Sequence, residues 1–198
     1  MSADATPGFT ELVMSDLARY RPRHRPSWWR VLTTAPFVPG LQASLVLRAQ
    51  QALVRKGDRW LCWLLRSVGI TLLGADFVPG AVVGRGVMFS HPVGIVIGPG
   101  SRVGDQVTFA GGITLGVKAF DEQEQAPDEP YPTICDGVSI GAHAAILGGA
   151  TVGEGAAIGA NSVVTRDLAP NTIAAGVPAK PLREIEFQPG DGSDGDGP

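Results

Sequence analysis

From Val83 to Val164 an aliphatic or aromatic side chain recurs every six residues, a period that neither a strand nor a helix produces. The series runs through Val83, Phe89 and Ile95, shifts by two, and continues at Ile97, Val103, Phe109 and Leu115. It resumes at Ile134, Ile140, Ile146, Val152, Ile158 and Val164. Glycine follows the anchor at positions 84, 98, 104, 116, 141, 153 and 159, and a small or β-branched residue often sits four places after an anchor. Such a period suits a coil of triangular section in which each short face is one repeat. The anchor points to the axis, and glycine or another small residue takes the tight corner. Three repeats make one turn, so successive turns stack their anchors in ladders.

Written [LIV]-G-x-x-x-x, this is the hexapeptide signature of left-handed β-helix proteins, and it predicts a mainly β fold: a left-handed parallel β-helix of hexapeptide repeats with a small N-terminal α-helical domain. Composition supports the division. Of 27 glycines in 198 residues, 22 follow Asp76, whereas all four tryptophans and ten of the 16 Lys and Arg precede it. The expected organisation is a helical region at 1–73, the coil at 74–184 and a disordered acidic, Gly-rich tail at 185–198. The acidic, Pro-containing segment between Leu115 and Ile134 breaks the rhythm and is expected to project as a loop over 117–133.

In the N-terminal part, apolar residues at Phe9, Leu12, Val13 and Leu17 predict a helix over 9–20, with Thr10 as a candidate cap and Pro22 and Pro26 ending it. A second helix is expected at 41–56, framed by Pro39 and Gly57, and a third at 59–68. Cys62 and Cys135, both beside apolar residues, read as buried free thiols, which fits a reducing cytoplasm. The start MSADATPGF lacks the order of a signal peptide, and the apolar run Trp60–Leu73 contains Arg66 and falls short of a spanning helix. A net charge of −3 argues against nucleic acid as a partner. The expectation is a cytoplasmic protein with no membrane partner.

Three histidines bear on chemistry. His24 lies in a basic, Pro-flanked segment expected to be solvated, and His143, in mid-repeat, is expected on the surface. His91, in FSHPVG just before the shift in phase, sits where the coil is disturbed, and an imidazole there is a candidate base for acyl transfer to an alcohol. Asp76 is its candidate partner, because a coil of about eighteen residues brings it near His91 on the adjacent turn. It would orient the ring and stabilise the imidazolium, or it would cap the chain where the coil begins; the pattern leaves both open.

The stretch from Gly74 to Glu184 resembles the catalytic domain of the serine O-acetyltransferases. It closes on AAGVPAKPLRE, and Asp76 and His91 match the family's Asp and catalytic His, with GRGVM between them. TLG at 114–116 and IGAHAAILG at 140–148 match segments that line the family's acetyl-CoA groove between subunits, and 39–73 is similar to its helical segment. The N-terminal portion is shorter. The resemblance implies acetyl-CoA as co-substrate, with His91 and Asp76 catalytic and with Gly116, Gly141, Ala142 and Ala160 lining the groove. Lys118, Lys180 and Arg183 are the basic residues placed for CoA phosphates. The chain departs from the family at the acceptor site: Ser90 replaces an Asp, and Pro130 and Tyr131 replace an Arg-His pair. Ser90 and Tyr131 therefore become the candidate acceptor-binding residues.

The expected reaction is O-acetyl transfer from acetyl-CoA to L-serine or a serine-like amino acid, with the oxyanion met near Gly116 and no metal. The alternative keeps the chemistry and changes the acceptor to a sugar or natural-product intermediate. A zinc carbonic anhydrase of this fold needs three His ligands, which the histidine positions disfavour, and a non-enzymatic scaffold is the remaining reading. A homotrimer is expected, with pairing of trimers left open. The ending GSDGDGP lacks the Ile by which some family members dock onto the next enzyme of cysteine synthesis.

Overall fold

Strands of two or three residues are the structural form of the six-residue period. In the computed structural model, which describes residues 7–118 and 130–185, each repeat supplies one short strand and one corner. The first coil carries β1 (Asp76–Phe77), β2 (Val82–Val83) and β3 (Met88–Phe89), and the second β4 (Val96–Ile97), β5 (Arg102–Val103) and β6 (Thr108–Phe109). The third has β7 (Thr114–Gly116), β8 (Thr133–Ile134) and β9 (Ser139–Ile140), and the fourth β10 (Ala145–Leu147), β11 (Thr151–Val152) and β12 (Ala157–Ile158). β13 (Val163–Val164) and β14 (Thr172–Gly176) begin a fifth, and β15 (Ala179–Glu184) turns back antiparallel on β14. All other pairings are parallel and run between coils, giving three faces ordered β1-β4-β7-β10-β13, β2-β5-β8-β11 and β3-β6-β9-β12-β14. This is the left-handed parallel β-helix predicted from the repeat.

Every anchor of the six-residue series is buried, from Val83 at 3% exposure to Val164 at 1%. In the first two coils the axis is filled by Phe77, Phe89 and Phe109, with successive ring centroids 5.3 and 5.1 Å apart. Close stacking of coils explains the small residues. A Cβ on Gly141 would sit 2.5 Å from Ala160 N and 2.7 Å from Ile158 O, distances no side chain tolerates.

Four helices precede the coil: α1 (Phe9–Tyr20), α2 (Trp28–Thr34), α3 (Pro39–Lys56) and α4 (Arg59–Leu73). Three agree in position with the expected helices, although α4 runs five residues further and α1 is capped at Gly8 with no side-chain bond from Thr10. α2 was not expected; the hydroxyl of Ser27 accepts from Arg30 N at its start, 3.4 Å away. α3 ends at Gly57 and α4 at Gly74, both in the left-handed conformation, with φ of 78° and 64°.

The helices are fastened to the first coil through polar contacts. Arg48 on α3 donates to both carboxylate oxygens of Asp16 on α1, at 2.7 and 2.9 Å, and also to Gln51 Oε1, Val83 O and Gly84 O. Arg19, at the end of α1, donates to Gly86 O, Gln106 O and Oε1, and Thr108 Oγ1, which holds the helix against the coil. The Tyr20 hydroxyl accepts from Phe89 N and donates to Phe89 O, and burial pushes its pKa up. Cys62 is buried as expected, with its thiol pKa raised by burial, whereas Cys135 is half-buried because it follows the inward anchor Ile134 and faces outward. Among the described residues no helix is long and apolar enough to cross a membrane. Residues 119–129 of the expected loop and 186–198 of the expected tail lie outside the described residues, as do the first six.

Candidate active site

The shift in phase between Phe89 and Ile97 appears in the structure as an enlarged corner. Asp76 pairs with Val96, twenty residues on, whereas Val96 pairs with Thr114 and Ala145 with Val163, each eighteen on. The two extra residues fall in the stretch 90–94, between the third face and the first, and this stretch carries Ser90 and His91. The coil below holds it in place: Ser90 N donates to Phe109 O at 2.8 Å and His91 N to Ala110 O at 2.7 Å. The return to β4 is fixed by Gly94 N donating to Gly74 O and Asp76 N to Ile95 O, each at 2.8 Å. Ser90, His91 and Asp76 thus share one corner of the first coil, and the side chains of Ser90 and His91 are exposed.

The carboxylate of Asp76 is held by a residue that the sequence reading noted only as an interruption of an apolar run. Arg66 on α4 donates from Nε to Asp76 Oδ1 at 2.6 Å and from Nη2 to Oδ2 at 2.7 Å. Its guanidinium carbon lies 5.0 Å from the centre of the Trp63 ring, and the hydrogen bonds to Asp76 raise its pKa further above the ordinary value. An arginine set within the apolar run Trp60–Leu73 invites a counter-charge, which was the available signal. Among the described residues no hydrogen bond joins Asp76 to His91.

Below His91 the same edge carries Gly111 and Gly112 in the second coil, Gly141, Ala142 and His143 in the third, and Ala160 and Asn161 in the fourth. The ladder is hydrogen-bonded throughout: Gly112 N donates to Val93 O at 3.0 Å, and His143 N to Gly111 O and Asn161 N to Ala142 O at 2.8 Å. His143, expected on the surface, is exposed and lies on this edge.

Gly116, Lys118 and Tyr131 lie on a different edge, between the first face and the second. Four residues separate Gly112 from Gly116, about 13 Å of extended chain. The Tyr131 side chain packs against Gly98 and Gly100, where a Cβ at either would collide with it. Pro130 packs over Gly149 and the Lys118 stem over Gly148. One chain therefore gathers Ser90, His91, Asp76, Gly141, Ala142 and Ala160 on one edge and does not bring Tyr131, Gly116 or Lys118 to them. Lys180 and Arg183 are exposed on β15, beyond the last full coil.

A cleft of about 360 Å³ between α3, α4 and the first coil is lined by Val54, Gly57, Arg59, Cys62, Trp63, Pro79 and Gly80, and includes no residue of the His91 edge. Among the described residues no group of three or more His, Cys, Asp or Glu side chains is placed to hold a metal ion.

Residues 131–166 match the family model described as bacterial transferase hexapeptide (six repeats). The chain is 36% identical over 152 residues to the serine acetyltransferase of Mycobacterium tuberculosis, covering 77% of this chain and 64% of that protein. It is 34% identical over 154 residues to the serine acetyltransferase of Helicobacter pylori strain J99, covering 78% of this chain and 85% of that one. The crystal structure of Neisseria gonorrhoeae serine acetyltransferase in complex with serine superposes with a TM-score of 0.77 at 31% identity, over 88% of this chain and 69% of that one. The chain thus spans less than two thirds of the mycobacterial relative's length.

Proposed function

Because the chain belongs to the serine acetyltransferase family, we propose that it is a CoA-dependent O-acetyltransferase that moves an acetyl group from acetyl-CoA to a hydroxyl acceptor, with L-serine or a serine-like amino acid as the first candidate. The observation that supports this reading is the enlarged corner at 90–94, which leaves His91 exposed on an outer edge of the β-helix. His91 takes the acceptor's hydroxyl proton as the oxygen attacks the thioester carbonyl. Collapse of the tetrahedral intermediate breaks the C–S bond, and the imidazolium returns the proton to the departing CoA sulfur. Arg66 uses two of the roughly four lone-pair positions of Asp76, and those left open can accept from His91.

Acetyl-CoA runs along the same edge, past Gly141, Ala142 and Ala160. Lys180 and Arg183 on β15 stand five strand spacings from β3, which leads into His91, roughly 24 Å and toward the phosphates. In a homotrimer the His91 edge of one protomer faces the Tyr131 edge of the next, which brings Gly116, Lys118 and Tyr131 to a shared site. The reading includes a cytoplasmic location and no nucleic-acid or membrane partner. α4 leaves Trp60 and Leu72 on its surface at 73% and 74% exposure, an apolar face available to further association of trimers.

A second reading, a sugar or other non-amino-acid acceptor, is favoured by Ser90 and by the packing of Tyr131 onto Gly98 and Gly100. The test is an acceptor screen with acetyl-CoA that follows released thiol. Release with L-serine is the expected result. Release only with sugars or other alcohols selects the second reading. No release with any acceptor, together with no rise in Tm on adding CoA, would sink both.

A further inference from the structure

The carboxylate of Asp76 is gripped by one side chain. Nε and Nη2 of Arg66 take one oxygen each, and among the described residues no other donor reaches either oxygen. Arg66 is itself fixed. Trp63 lies three residues earlier on α4, where i and i+3 side chains meet, and its ring carries the guanidinium carbon 5.0 Å from its centre. The fork is therefore set by the helix on one side and by the carboxylate on the other.

The main chain around Asp76 is tied to the enlarged corner. Gly94 N donates to Gly74 O and Asp76 N to Ile95 O, and a Cβ on Gly74 would stand 3.3 Å from Val93 Cγ1. The stretch 74–76 thus packs against 93–95, which begins two residues beyond His91. Backbone bonds place Asp76 against that stretch but leave its χ1 and χ2 open, and the Arg66 fork is what sets them. Stability alone is a weak reason for so defined a pair. The side chains of Arg66 and Asp76 stay 27% and 23% exposed, and ion pairs that water reaches contribute little to folding. Two short charge-assisted bonds do fix geometry, and the carboxylate they fix is the candidate partner of the candidate base.

We propose that Arg66 is a positioning residue of the acetyl-transfer site, holding the Asp76 carboxylate so that its unused lone pairs orient the His91 ring. The assignment rests on the acetyl-transfer reading above. His91 must present one bare ring nitrogen to the acceptor hydroxyl, which leaves the other nitrogen to carry the N–H. Asp76 accepts that N–H and so selects the tautomer, and its charge faces the imidazolium once the acceptor's proton has moved. Bonds between a base and its orienter often close only in the substrate complex, so the carboxylate has to point the right way beforehand. Arg66 acts through Asp76 and takes no proton itself.

The test follows thiol release by the full chain, with acetyl-CoA and the acceptor found active in the screen. The variants are Arg66→Met and Arg66→Lys, alone and combined with Asp76→Asn. Arg66→Met should lower kcat about ten- to a hundredfold, the loss usual when an outer partner that orients a functional group is removed. KM for acetyl-CoA and the rise in Tm on adding CoA should not change. Arg66→Lys keeps the charge without the fork, and should exceed Arg66→Met yet retain no more than about a third of the unaltered kcat. Asp76→Asn should lower kcat on its own. Adding Arg66→Met to it should change kcat by less than about twofold, because no carboxylate remains to be positioned. An arginine that merely fastened α4 to the coil would lower Tm and leave kcat near its unaltered value. A kcat for Arg66→Met within about twofold of the unaltered protein overturns the assignment, as does an equal fall with and without Asp76→Asn. Should Arg66→Met fail to fold, Arg66→Lys decides on the same criterion. If Arg66→Met is unaffected while His91→Ala is inactive, only the role of Arg66 falls; if the unaltered protein releases no thiol with any acceptor, the acetyl-transfer reading falls with it.

Discussion

His91→Ala is expected to transfer acetyl groups about 10²- to 10⁴-fold more slowly than the unaltered protein, the usual contribution of a positioned general base. The fold should not change. His91 is exposed and its side chain makes no hydrogen bond among the described residues, so truncation orphans no buried partner and opens no cavity. Surface changes of this kind stay within about 0.5 kcal/mol. The main-chain bond from His91 N to Ala110 O, which holds the corner, survives the substitution. Thiol release measures the rate, and a thermal melt with and without CoA separates lost chemistry from lost binding. A variant that keeps its Tm and its response to CoA but loses turnover matches the assignment. Near-normal turnover would remove His91 from the mechanism.

The β-helix was legible because its period is a local property. Each anchor from Val83 to Val164 needs only its own six-residue unit to be recognised, and the two-residue slip after Ile95 marks the corner that the structure shows enlarged. The site was legible only in part, because contacts between distant segments leave no periodic trace. Arg66 within its apolar run signals a need for a counter-charge, but not that Asp76 will supply it. Nothing near Tyr131 shows that its ring will lie on Gly98 and Gly100, some thirty residues earlier. His143 stands on the surface as expected, exposed at the corner that follows β9. Helix α2 was missed because two prolines precede it closely and its seven residues, with Val31 as the one buried apolar side chain, are too few to show a helical period.

The largest stability effect is expected at the join between the helices and the coil. Arg48 and Asp16 are both fully shielded from solvent, and their paired contacts reach α1, α3 and the corner at Val83 and Gly84, while Asp16 Oδ1 also accepts from Val87 N. Removing one partner strands a charge that water cannot reach. Asp16→Ala and Arg48→Ala should therefore each cost about 3–5 kcal/mol in urea unfolding. The two are not equivalent in pH dependence. Burial pushes the Asp16 carboxyl pKa up and Arg48 is what opposes it, so in Arg48→Ala the folded-state value rises well above the unfolded one. A carboxyl raised in this way contributes most below its unfolded pKa, about 3.9, and that contribution is lost as pH rises through the folded value. The deficit of Arg48→Ala should then shrink as pH falls through the raised folded-state value, because Asp16 takes up a proton and sheds its buried charge, while Asp16→Ala, which keeps a buried guanidinium, should show no such recovery. Replacing both residues with apolar side chains of similar size should cost less than either single change, since no charge remains to be stranded. Equal and pH-independent losses in the two single variants, with the double variant losing their sum, would show that the pair acts as packing alone and that its charges do not fasten the helices to the coil.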